Sequence, residues 1–162
     1  MAYQRLQVSE GLAVIPSDTV PIPDPATEVI SGTADFSVAG VLTDTAPTAF
    51  TTAGIQTNAI VYNVTAGIAY YVTAVTDDLN LALSPSSAGG AADEYVIYNA
   101  ATKACTLYVG VAGNLIVQMA SQRDAALTDT VTFNNIPSSS FLPILVTRVA
   151  QASTASNIIA LW

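Results

Sequence analysis

The chain has 162 residues and a net charge of −8, from 12 acidic and 4 basic side chains, and it contains no histidine. The missing histidine excludes Ser-His-Asp and Cys-His catalysis and histidine metal sites; the single Cys105 excludes an intrachain disulfide; the acidic balance argues against nucleic acid. Hydrophobic residues make up 51% and charged residues only 10%, against roughly 25% charged in an average domain, so permanent association is favoured.

The opening "MAYQRLQVSEGLAV" has no apolar core of a secretory signal. "VIPSDTVPIPDPATEV" follows, with Pro16, Pro21, Pro23 and Pro25. Prolines at alternate positions lack donors and cannot sit in a central strand, yet Leu12, Val14, Ile15, Val20 and Ile22 are too apolar for a solvated tail. Residues 1–30 are therefore expected to form an extended arm lying on a neighbouring surface and contributing to a base domain. Trimming Met1 to Tyr3 should be tolerated.

Residues 31–98 predict a compact unit of short strands, a small barrel or sandwich. Gly32, Gly40, Gly54 and Gly67 mark turns between "AIVYNVT", "IAYYVTAV", "LNLALS" and "EYVIYN". Residues 45–76 carry no charge, but Pro47, Gly54, Asn58, Asn63 and Gly67 interrupt them and exclude a membrane span. Asn63-Val64-Thr65 matches a glycosylation sequon and is set aside without a secretion route.

Residues 99–162 hold five further strand candidates, "CTLYVG", "NLIVQMA", "DTVTF", "LPILVTRV" and "NIIALW", with "SQRDAALTD" as a polar loop. With part of the arm they predict a β-sandwich base, into which the middle unit is inserted. The whole is all-β, since no sustained helical periodicity occurs. Trp162 is the only tryptophan and the last residue, so the terminal strand is expected to be sandwiched within the base or pressed against another chain.

Residues that could carry chemistry have plainer readings. Cys105 reads as a buried structural thiol. Asp77-Asp78 and Asp93-Glu94 are expected to be solvated turn charges, because neighbours on a strand face opposite ways and neither pair has the spacing of a calcium loop. Tyr62, Tyr70 and Tyr71 could form a sugar platform, but tyrosine is ordinary strand composition. No catalytic, cofactor-binding or metal-binding constellation emerges, and no cofactor is expected.

The C-terminal block carries a resemblance. "DTVTFNNIPSSSFLPILVTRV" and "STASNIIALW" resemble the C-terminal signature of a bacteriophage structural family that includes the head spike base proteins of gene transfer agents and virion proteins of marine cyanophages. The matching features are Thr130 to Phe133, Ile136-Pro137, Phe141-Leu142-Pro143, Val146 to Val149 and Ile159 to Trp162, about a fifth of the chain. "YQRLQVSEGLAVIPSDTVPIPDP" is similar to cyanophage relatives, and the middle resembles small β units of many phage structural proteins.

The resemblance implies a non-enzymatic virion protein made in the host cytoplasm and attached to the outside of the head. It would be a capsid decoration or cement protein, or a head spike base. Implied partners are the major capsid protein, further copies of the chain (a trimer by family analogy) and a fibre protein, with neither nucleic acid nor membrane. Interfaces are expected at Pro21, Ile22, Pro23, Pro25, Phe141 and Trp162. The competing expectation is a tail, baseplate or fibre-associated module that binds a host receptor or glycan through exposed tyrosines.

Overall fold

The computed structural model describes residues 8–44, 50–99, 103–122 and 129–162. Residues 1–3 and most of the polar loop read over 121–129 fall outside them. The protein is all-β: its strands form two six-stranded antiparallel sheets, and among the described residues the one helical element is a 3-10 turn at Pro25–Thr27. No helix among the described residues is long and apolar enough to cross a membrane.

Strand β1 (Gly11–Ala13) precedes six strands of one sheet: β2 (Glu28–Ala34), β3 (Val41–Thr43), β4 (Ile60–Asn63), β5 (Ile68–Val75), β6 (Asn80–Ser84) and β7 (Asp93–Tyr98). The chain returns to the first sheet through β8 (Cys105–Val111), β9 (Gly113–Met119), β10 (Val131–Ile136), β11 (Ser140–Val149) and β12 (Ser156–Leu161).

The middle sheet runs β2-β7-β4-β5-β6-β3 and closes on itself. Just beyond β2, Asp35 exchanges both backbone hydrogen bonds with Thr43 of β3, at 2.8 and 2.9 Å, so the two outer strands meet. Closure into a barrel removes the open edges that would otherwise pair with other chains. Its interior is aromatic: Phe36 stacks on Tyr70 at 5.9 Å between ring centroids and meets Tyr95 edge-on at 6.3 Å.

Alternation decides which side chains enter the barrel. Val61, Tyr70, Val72, Tyr95 and Ile97 point in, while Ile60, Tyr62, Ala69, Tyr71 and Tyr98 point out. The outward set is nevertheless covered, because Leu12, Ile15 and Val20 of the arm pack on it. Strand β4 is consequently buried on both faces. Such double-sided apolar sequence requires a third layer, and the arm supplies it.

The arm simultaneously belongs to the base sheet, ordered β1-β12-β8-β11-β9-β10. Beyond β1, Val14 N–H donates to Ile158, Ser17 N–H to Val149 and Ile22 N–H to Thr147. Pro21 and Pro23 flank Ile22 and have no N–H, so the arm bonds the sheet on one side and offers no donor there on the other. Ile22 enters the base core with Leu107, Leu115, Val117 and Val146. Asp24 ends the extended run by accepting from Ala26 N–H at 3.1 Å, with Pro25 at the first position of the 3-10 turn.

Strand β11 folds the base sheet over its core. Its first half pairs with β8 through Ser140, Phe141 and Leu142, and its second half pairs with β9 from Val146 onward. Ala112 joins β8 to β9, and Gly113 lies against the backbone of Thr154 and Ala155 too closely for any Cβ. Only glycine permits that approach.

Candidate interaction surface

The acidic residues hold turns and the barrel together. Asp77 accepts from the backbone N–H groups of Leu79 and Asn80 at 2.8 and 2.9 Å, which caps the β5–β6 turn, and these bonds lower its pKa. Asp78 accepts from the Thr51 hydroxyl. Asp93 corrects the expectation of a solvated charge: it is only 6% exposed and accepts from Asn63 Nδ2 and Gly90 N–H, each at 2.7 Å. Its neighbour Glu94 points to solvent, so the pair shares no site.

Asn63 is fully buried by that bond and also accepts from Ala66 N–H at 2.8 Å, which leaves the sequon without a reachable amide. Replacing Asp93 with alanine strands two buried donors, and we expect a loss of about 2–4 kcal/mol in a denaturant melt. Asp93→Asn, which still offers one acceptor, should lose less. Equal stability of Asp93→Ala and wild type would refute this role.

The tyrosines form no sugar platform. Tyr62 and Tyr70 are buried and Tyr71 is half-buried, with Tyr70 inside the barrel and Tyr71 outside it, as neighbours on one strand must be. Burial raises the pKa of Tyr62, Tyr70, Tyr71, Tyr95 and Tyr98, the last to about 12. Tyr95 donates to buried Asp44 at 2.5 Å.

Cys105 is buried beneath Val146, and burial pushes its thiol from 9.0 up to about 12. The unfolded chain therefore loses these protons first. Stability is fully present below about pH 9 and falls as pH rises towards 12. An alkaline titration followed by circular dichroism should show this fall, and thiol reagents at neutral pH should leave Cys105 unmodified until the chain unfolds.

Among the described residues no group of three or more potential ligands could hold a metal ion. A cavity of about 250 Å³ lies where the arm meets the barrel, lined by Ser17, Asp18, Thr19, Ile68, Pro85 and Gln151 among others. Two of its polar groups are already engaged: Ser17 Oγ accepts from Val20 N–H at 3.0 Å and Asp18 Oδ1 from Gln151 N–H at 2.9 Å.

The six expected interface residues divide. Pro21, Ile22 and Pro23 are buried within their own chain, where the arm lies on the base sheet and barrel. Pro25 is half-buried in the 3-10 turn. Trp162 is half-buried against the base core, and its indole Nε1 donates to the Lys103 carbonyl at 3.1 Å. Only Phe141, 43% exposed, offers a large apolar side chain to solvent.

Phe141 stands in a row that sequence reasoning did not assemble. It lies directly opposite Tyr108 on β8, Tyr108 lies opposite Ile159 on β12, and Ile159 lies opposite Ala13 on β1. Pro143 and Leu145 continue along β11 on the same outward side, both exposed. Among the described residues, no charged side chain stands in this row. The remaining part of the sheet differs: Gln118 and Arg148, opposite each other on β9 and β11, are buried, and Arg148 Nη1 donates to the Asp18 carbonyl of the arm at 3.0 Å.

Compared with protein-family models, curated proteins and solved structures, the chain matches none.

Proposed function

We propose that the chain is a non-enzymatic structural protein of a phage virion, a capsid decoration or cement protein or a head spike base, acting on the outer surface of the head with the major capsid protein as partner. The observation that carries this reading is the C-terminal block from Thr130 to Trp162, whose sequence resembles that structural family. In the fold this block supplies β10, β11 and β12, half of the base sheet.

Physical chemistry supports the reading independently. With 10% charged residues the surface is suited to large permanent contacts, and the residues able to do chemistry are occupied in turns, caps and cores. The barrel is locked to the base by the arm, so load on one unit passes to the other through packed side chains. The glycan-binding alternative loses support, since Tyr62 and Tyr70 are buried and the half-buried Tyr71 faces the opposite side of the sheet from Tyr70.

Imaging of purified particles with a label on this chain tests the proposal. Many copies distributed over the head are expected for a decoration protein, and copies at head vertices for a spike base. Absence from particles, or copies confined to the tail, would overturn it.

A further inference from the structure

The barrel is closed and has its own aromatic core, yet its outer wall is not built for water. We infer that barrel and base nevertheless unfold as one cooperative unit, coupled through the arm. Strand β4 is buried on both faces. Its outward Ile60 and Tyr62, with Ala69 of β5 and Tyr98 of β7, are each at most 3% exposed. A barrel separated from the arm would set this apolar wall in water and lose the burial that stabilises it.

The arm covers that wall from a position that the base provides. Val14 and Ile22 pack on the base core, Ile15 and Val20 pack on the barrel, and Leu12 touches both clusters. Its backbone is held by the base: Val14, Ser17 and Ile22 N–H donate to the carbonyls of Ile158, Val149 and Thr147 at 2.9, 2.8 and 2.8 Å. These acceptors lie on β11 and β12, the last two strands of the chain. The wall of a barrel built from earlier residues is therefore covered through strands that come last.

Arg148 of β11 joins all three parts. It is buried, and its bond to the Asp18 carbonyl grips the arm at the turn where Ser17 Oγ accepts from Val20 N–H and so delivers Val20 to the barrel. Across the joint, burial raises the pKa of Tyr71 on β5, and the charge of Arg148 partly offsets that rise, which places the guanidinium beside the barrel's outer face. Pulling such a group from its partners leaves a buried charge uncompensated, so the three parts separate together or not at all. The coupling acts within one chain and does not rest on the virion reading.

Native-state hydrogen exchange on the full chain provides the test, read at β4 and β5 of the barrel and at β8 and β9 of the base. Ile22→Ala, in the base core, should speed the slowest amides of both units by the same factor, about tenfold or more. Val72→Ala, inside the barrel, should likewise speed both. If Ile22→Ala does not fold, Ile22→Val should show a smaller factor that is again common to both units. Ile15→Asp sets a charge between arm and barrel and should speed the barrel amides about tenfold or more. Val38→Asp, at an exposed position between β2 and β3, should leave both units within about twofold of wild type. Barrel amides that keep wild-type rates while Ile22→Ala or Ile22→Val speeds the base overturn the inference. Base amides unmoved by Val72→Ala, or an Ile15→Asp chain that exchanges like Val38→Asp, overturn it as well.

Discussion

Removal of Leu161 and Trp162 should abolish soluble folded protein. Strand β12 is interior to the base sheet, bonded to β1 on one side and β8 on the other. The last two residues close that arrangement: Leu161 lies opposite Gly11 and Thr106, Thr106 Oγ1 donates to the Leu161 carbonyl, and Trp162 exchanges backbone bonds with Ser9 and Glu10. Truncation removes these bonds at about 1 kcal/mol each, together with a half-buried indole whose loss costs about 2 kcal/mol. The total approaches the roughly 5–15 kcal/mol by which a domain is stable. Soluble yield and a thermal melt measure the effect, and a truncated protein that melts like wild type would contradict it. Trp162→Phe, which keeps a ring in the core and loses the bond to Lys103, should cost only about 1 kcal/mol.

The second large effect is expected at Ile22→Ala, a loss of about 2–4 kcal/mol from a side chain that is 1% exposed in the base core. Val20→Ala, 2% exposed in the cluster between arm and barrel, should cost about 1–3 kcal/mol. Because both contacts are made within one chain, the difference from wild type should not change on dilution. An arm that strapped a neighbouring molecule would give a destabilisation that vanishes at low protein concentration, where wild type too has lost the contact. Denaturant melts at two concentrations a hundredfold apart separate these outcomes.

Much of the strand content was readable because period-two patterns report local geometry. In "LNLALS", Leu81 and Leu83 are buried as the alternation requires, whereas Leu79 precedes the strand and is 41% exposed in the turn. Leu115 and Val117 face the core with Met119 packed against it. Asp93 was misread as solvated because a carboxylate in a turn-rich stretch is usually exposed; its burial depends on Asn63, thirty residues away in the chain, and on the Gly90 N–H. The outward row of Phe141, Tyr108 and Ile159 was likewise hidden, since each looks like an ordinary strand residue until register brings the three strands together.

The arm shows the division most clearly. Four prolines among apolar residues determined by themselves that residues 16–25 would be extended and unable to form a central strand, because the ring fixes φ and deletes the donor. Which surface the arm covers was a tertiary decision. It lies between the barrel and base of its own chain, since Ile60, Tyr62 and Tyr98 face outward from the barrel and need a third layer that Leu12, Ile15 and Val20 supply. The terminal Trp162 follows the same logic: alternation made "NIIALW" a strand, but only the antiparallel pairing of β12 between β1 and β8 buried it within the sheet. Local sequence determines backbone geometry through sterics and alternation, whereas partner, burial and register depend on contacts between distant segments that form together.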